Sequence, residues 1–83
     1  MSYNIIWSTT AEQQLARLWL NEALRPLLAR ATSAIDARLG RDAPNVGESR
    51  EANQRIDFEP LFAVMYECDP ATRQVKVLYI WAF

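Results

Sequence analysis

The sequence predicts a single α+β domain in the order β-α-α-β-β-β, with a helical hairpin packed on one face of a small, mainly antiparallel four-stranded sheet. Three observations predict it. A short aromatic and β-branched run at the N-terminus precedes two stretches with apolar residues at helical spacing. The second half of the chain reads as apolar strands separated by short turn segments. At 83 residues, 51% of them apolar, the chain can bury one core and no more, so residues 1–83 form one domain.

The elements follow in order. Tyr3 to Trp7 (YNIIW) reads as a strand. Thr9 and Glu12 have the spacing of a capping box, and Ala11, Leu15, Leu18 and Trp19 recur at helical spacing, so a first helix is expected from about Thr10 to Asn21. Pro26 suits the first turn of a second helix, whose stripe runs Leu27, Leu28, Ala31, Ala34, Ile35, Leu39, with Gly40 as its expected C-terminal cap. The few residues between the helices imply an antiparallel pair. Asp42 to Ser49 is turn chemistry. Strands are expected over Gln54 to Phe58, Leu61 to Cys68 and Val75 to Ala82, the last three forming a meander. Trp7 and Trp19 are expected as core anchors.

Composition removes several classes of function. There is no histidine, so neither a Cys/His zinc site nor a histidine-activated nucleophile is possible. The acids Glu48, Glu51, Asp57 and Glu59 do not have the spacing of a calcium loop, and no metal or cofactor is expected. Cys68 is the only cysteine, which fits a reducing compartment. With no signal-peptide pattern and no long apolar run, a cytoplasmic protein without a membrane partner is expected. Charge is uneven: Arg17, Arg25, Arg30, Arg38 and Arg41 face only Glu22 and Asp36 across residues 14–41. The segment 42–69 sets Arg50 and Arg55 against seven acids. That is not the basic stripe of a protein that binds DNA sequences directly. Arg50 and Arg55 are expected to pair with Glu48, Glu51 and Asp57.

Several stretches taken together are similar to a known family. Trp7-Ser8 leads into Ala11, Leu15, Leu18 and Trp19. A second helix closes on Ala31, Ile35, Asp36 and Leu39. Then come an Asp/Pro/Gly loop, a strand with Arg55, Pro60-Leu61 ahead of Tyr66, and a last strand with Val75, Val77, Leu78 and Ile80. In order and spacing these resemble the RelE/ParE superfamily of bacterial type II toxin–antitoxin modules, the plasmid-stabilisation proteins. The resemblance covers essentially the whole chain. It implies a cytoplasmic toxin with a cognate antitoxin, acting by ribosome-dependent mRNA cleavage (RelE branch) or by poisoning DNA gyrase (ParE branch).

The RelE chemistry needs cations around a scissile phosphate. By the resemblance Arg55 matches one such position and would be the catalytic residue. Asp57 stands where another cation is expected and Ala63 where an arginine is expected, and the family's remaining arginine and tyrosine fall beyond Phe83. The expectation is therefore a ParE-like binding function, with a degenerate RelE-type endoribonuclease as the alternative. Alternation along the last strand puts Val75, Val77, Tyr79, Trp81 and Phe83 on one side and Leu78, Ile80 and Ala82 on the other, so both sides are apolar. Two helices cover one face. The other is expected to meet an antitoxin, a target (gyrase or ribosome) or a second copy of the chain through Arg50, Arg55, Phe62, Tyr79 and Trp81.

Overall fold

The computed structural model describes residues 2–50 and 53–83. Its elements are β1 (Asn4–Trp7), α1 (Thr9–Trp19), α2 (Arg25–Asp42), a 3₁₀ turn (Ala43–Asn45), β2 (Glu48–Ser49), β3 (Gln54–Glu59), β4 (Phe62–Asp69) and β5 (Gln74–Ala82). The sheet has five strands in the order β1-β5-β4-β3-β2. All neighbours are antiparallel except β1 and β5, which run parallel. The additional strand is the two-residue β2, inside the stretch read as turn; two residues carry too little pattern to be legible in a sequence.

The helix ends differ from expectation. Ser8, not Thr9, caps α1: its hydroxyl accepts from the Ala11 amide at 3.0 Å, which places Ala11 at the third helical position and Glu12 one residue too late for a capping box. The same hydroxyl donates to the Leu78 carbonyl at 3.0 Å, so one side chain starts the helix and ties it to β5. Gly40 does not end α2. The helix runs through it to Asp42, and the Gly40 carbonyl accepts from the Tyr3 amide at 2.7 Å. Trp19 is half exposed rather than a core anchor; the Arg25 guanidinium lies 5.9 Å from its ring centroid. Trp7 does pack against the core.

The core lies between the helices and one sheet face. Leu28, Ala31, Ile35 and Leu39 of α2 and Ala11 of α1 meet Phe62, Val64, Tyr66, Val75, Val77 and Ile80. In β4 the inward residues are every second one, as a pleated strand requires. In β5 they are not. Tyr66 faces Val77 while Met65 faces Tyr79, so Leu78 has no opposite partner and forms a bulge. Beyond it the faces exchange: Val75, Val77 and Ile80 point inward, and Tyr79 and Trp81 point outward. This corrects the simple alternation that placed Val75 and Val77 beside Tyr79. The bulge sits where β1 ends and α1 takes over the β5 edge, with Ser8 on the Leu78 carbonyl and the Gln14 side-chain oxygen accepting from the Ile80 amide at 2.8 Å.

The opposite edge of the sheet is fastened to α2 by Arg38. Its Nε and Nη2 donate to Asp57 Oδ2 at 3.1 and 2.8 Å, and its Nη1 donates to Glu59 Oε2 at 3.0 Å. Asp57 also accepts from the Phe58 amide at 2.9 Å. These contacts lie on the stretch of β3 that the short β2 leaves uncovered. Asp57 therefore pairs with a helix residue rather than with the neighbouring Arg55, and of the expected local network only Arg50–Glu48 at 3.2 Å forms among the described residues. Glu51 lies outside the described residues.

Candidate functional site

The sheet face away from the helices is built in rows by the strand register. One row runs Trp81–Ala63–Phe58, the next Tyr79–Met65–Ile56, and a third Lys76–Glu67–Gln54. Phe83 extends the first row: its amide donates to the Leu61 carbonyl at 3.0 Å, and its ring meets Phe58 edge-to-face at a centroid distance of 5.6 Å. The face is thus apolar and aromatic at one end and polar at the other. Phe58, Leu61, Tyr79 and Phe83 are 42–66% exposed, whereas Ala63 is fully covered. Large apolar side chains this exposed and this close together are unusual on a free surface.

Leu61 adds a backbone feature. It follows Pro60 in the β3–β4 turn and has φ of +74°, a left-handed conformation costly for a residue with a Cβ. A side chain held there at such a cost, with its apolar end in water, forms the rim of the aromatic corner.

The expected site residues separate into two groups. Tyr79 and Trp81 lie on the open face; alternation along the last strand grouped them with Val75 and Val77, and the bulge separates the two pairs. Phe62 lies on the other face, fully buried against the helices, and has no surface to offer a partner. Arg55 also points to the helix side, since it pairs with Tyr66. Its Nε donates to the Val46 carbonyl at 2.7 Å and its Nη2 to the Gly47 carbonyl at 2.9 Å, fastening the loop before β2. Arg50 is exposed at the rim beside Glu48. Phe58, Leu61, Met65 and Phe83 were not among the expected site residues, although Phe83 was placed on the same side of the last strand as Tyr79 and Trp81. Phe58 carried a detectable signal, its alternation with Ile56, but its face depends on the pairing with β4.

The chemistry available on this face is modest. Its cations, among the described residues, are Lys76 in the polar row and Arg50 at the edge, and they do not converge. No group of three Cys, Asp or Glu side chains suited to a metal occurs among the described residues. Tyr66 is fully buried. Its hydroxyl lies 3.0 Å from the Ala43 carbonyl and 2.5 Å from that of Val46, and burial pushes its pKa up to about 12. It serves packing rather than proton transfer. No described helix is long and apolar enough to cross a membrane.

Two helices on one side of a mixed sheet, with an uncovered aromatic face on the other, define a RelE-like α+β fold. No family model and no curated protein matches the chain. Among solved structures it is similar to a chain of the toxin–antitoxin complex RelBE2 from Mycobacterium tuberculosis, with a TM-score of 0.83, 21% identity, and 100% of both chains covered. The two chains share a fold from end to end.

Proposed function

We propose that this protein is the toxin, or a toxin-like member, of a bacterial type II toxin–antitoxin pair, working in the cytoplasm through protein binding and neutralised by a cognate antitoxin. The observation that carries this reading is the aromatic end of the open sheet face, which leaves Phe58, Leu61, Tyr79 and Phe83 in water. The likeness in fold to a chain of a toxin–antitoxin complex supports it. ParE-like action on DNA gyrase is favoured over mRNA cleavage because Arg55, the residue that resembles a ribonuclease position, sits on the helix side bound to two carbonyls.

The test is induction of the chain alone in bacteria, followed by two cell-free assays. Growth arrest is expected, together with inhibition of gyrase supercoiling and intact mRNA in a ribosome-supplemented assay. Tyr79→Ser with Phe58→Ser should relieve arrest while leaving the circular dichroism unchanged. Unimpeded growth of cells making the protein would refute the toxin reading. Ribosome-dependent cleavage abolished by Arg55→Ala would refute the binding mechanism. Self-association through the same face competes with antitoxin docking, and size exclusion of the chain with and without antitoxin separates the two.

A further inference from the structure

The helix hairpin carries an apolar slot of its own, on the side of the molecule away from the aromatic sheet face. The slot has a volume of about 380 Å³ and is lined by Glu12, Leu15, Ala16, Trp19, Leu28 and Thr32 of α1 and α2. Leu28 is fully buried and forms its floor. Trp19 is 45% exposed, and Leu20 beside it 76%. Helical spacing explains the arrangement: Glu12, Ala16 and Leu20 fall one turn apart on the outer stripe of α1, next to the wall made by Leu15 and Trp19. The solvent-facing stripe of an amphipathic helix is ordinarily polar, whereas the middle and end of this one are apolar.

The two ends of the slot carry opposite charges. Glu12 stands in the first turn of α1. Arg25, the first residue of α2, lies over the Trp19 ring at the other end, where its Nε donates to the Trp19 carbonyl at 2.6 Å. Among the described residues neither Glu12 nor Arg25 has an ion-pair partner. Glu12 and Trp19 are about 10 Å apart along the helix axis, with the small Ala16 near the midpoint. A two-fold axis through Ala16 carries the Glu12 end of one copy onto the Arg25 end of another, and the missing side-chain bulk there lets two helices approach closely. A partner of one charge sign matches one end of the slot only. A second copy of this chain, turned end for end, matches both.

We propose that the α1–α2 slot is an interface between two copies of this chain, a two-fold dimer in which Ala16 meets Ala16 and Glu12 of each protomer meets Arg25 of the other. The dimer leaves the aromatic sheet face open and stands independently of the protein-binding reading.

The test is sedimentation velocity of the full chain at protein concentrations from about 1 µM to 1 mM, with circular dichroism confirming that each variant is folded. A monomer–dimer equilibrium is expected, with half-dimerisation on the order of 100 µM, as suits a small interface. Ala16→Glu changes an exposed position, sets like charges against each other across the axis and should weaken association at least about 10-fold. Glu12→Arg and Arg25→Glu should each weaken it about 10-fold. Mixing these two variants places opposite charges at both contacts and should restore association to within about 3-fold of the wild type. Tyr79→Ser with Phe58→Ser should leave it unchanged. A chain that stays monomeric at the highest concentration, whether or not the slot takes up an amphipathic helical peptide, would overturn the proposal. So would undiminished association of Ala16→Glu, a mixture that associates no better than either variant alone, or a dimer lost with the Tyr79 and Phe58 substitutions, which would put self-association on the sheet face.

Discussion

Consider Arg38→Ala. In the intact protein three N–H groups of Arg38 reach the carboxylates of Asp57 and Glu59 at 2.8–3.1 Å. The side chain of Asp57 is only 12% exposed, and that of Glu59 27%. Truncation leaves Asp57 a nearly buried anion supported by one contact, the Phe58 amide. Breaking a buried pair by removing one partner costs about 3–5 kcal/mol, and the partial exposure of Arg38 and Glu59 argues for the lower end, about 3 kcal/mol. A domain of this length has a total stability of about 4–12 kcal/mol, so the loss is large. Urea unfolding followed by circular dichroism should show the midpoint fall at unchanged slope, and Tm should drop by about 12–24 °C. The uncompensated carboxylate makes a further, sharper expectation. Asp57→Asn should destabilise the wild type but restore about 1–2 kcal/mol in the Arg38→Ala background, because it removes the charge that has lost its partner. A loss below about 0.5 kcal/mol would show that the ion pair is a surface ornament. Additive effects in the double variant would show that the two residues do not act on each other.

Three other expectations follow from single positions. Gly47 has φ of +67°, and a Cβ there would lie 2.2 Å from the Ile56 carbonyl oxygen, so Gly47→Ala should cost at least about 3 kcal/mol in chemical denaturation. Leu61→Gly relieves a left-handed leucine and should raise stability by about 0.5–1 kcal/mol while weakening antitoxin binding, an opposed pair of effects that a purely structural leucine would not give. The Tyr66 phenol has its pKa raised from 10.0 to about 12 by burial, so the folded state holds its proton more tightly than the unfolded state does. The stability it contributes is complete below pH 10 and is lost as pH rises towards 12; Tyr66→Phe should flatten that alkaline loss in a pH series of urea melts.

Much of the fold was legible because it rests on local pattern. The stripe Leu28, Ala31, Ile35 and Leu39 marks a helix face wherever that helix lies, and Ile56 with Phe58 marks a strand. Tyr79 and Trp81 lie on the open face. Arg55 and Phe62 do not, since their inward orientation is set by pairing with Tyr66 and by the position of α2. Phe62 sits in an apolar strand whose two faces look alike in sequence, and nothing within β4 says which face the helices will cover.

The sequence by itself determined the order of the two helices and the four longer strands, the meander and the surplus of apolar strand surface, because each depends on neighbours a few residues apart. Tertiary structure alone decided which residues form the exposed surface and which charges meet. Leu78 becomes a bulge only because β1 ends and Ser8 of the incoming helix takes its carbonyl, and that one extra residue turns Tyr79 and Trp81 outward. Arg38 reaches Asp57 across 19 positions, while Arg55, two residues from Asp57, turns to carbonyls instead. A side chain's partner is fixed by closeness in space, and in a sheet that closeness is set by register, which changes by a whole face when a single residue is inserted.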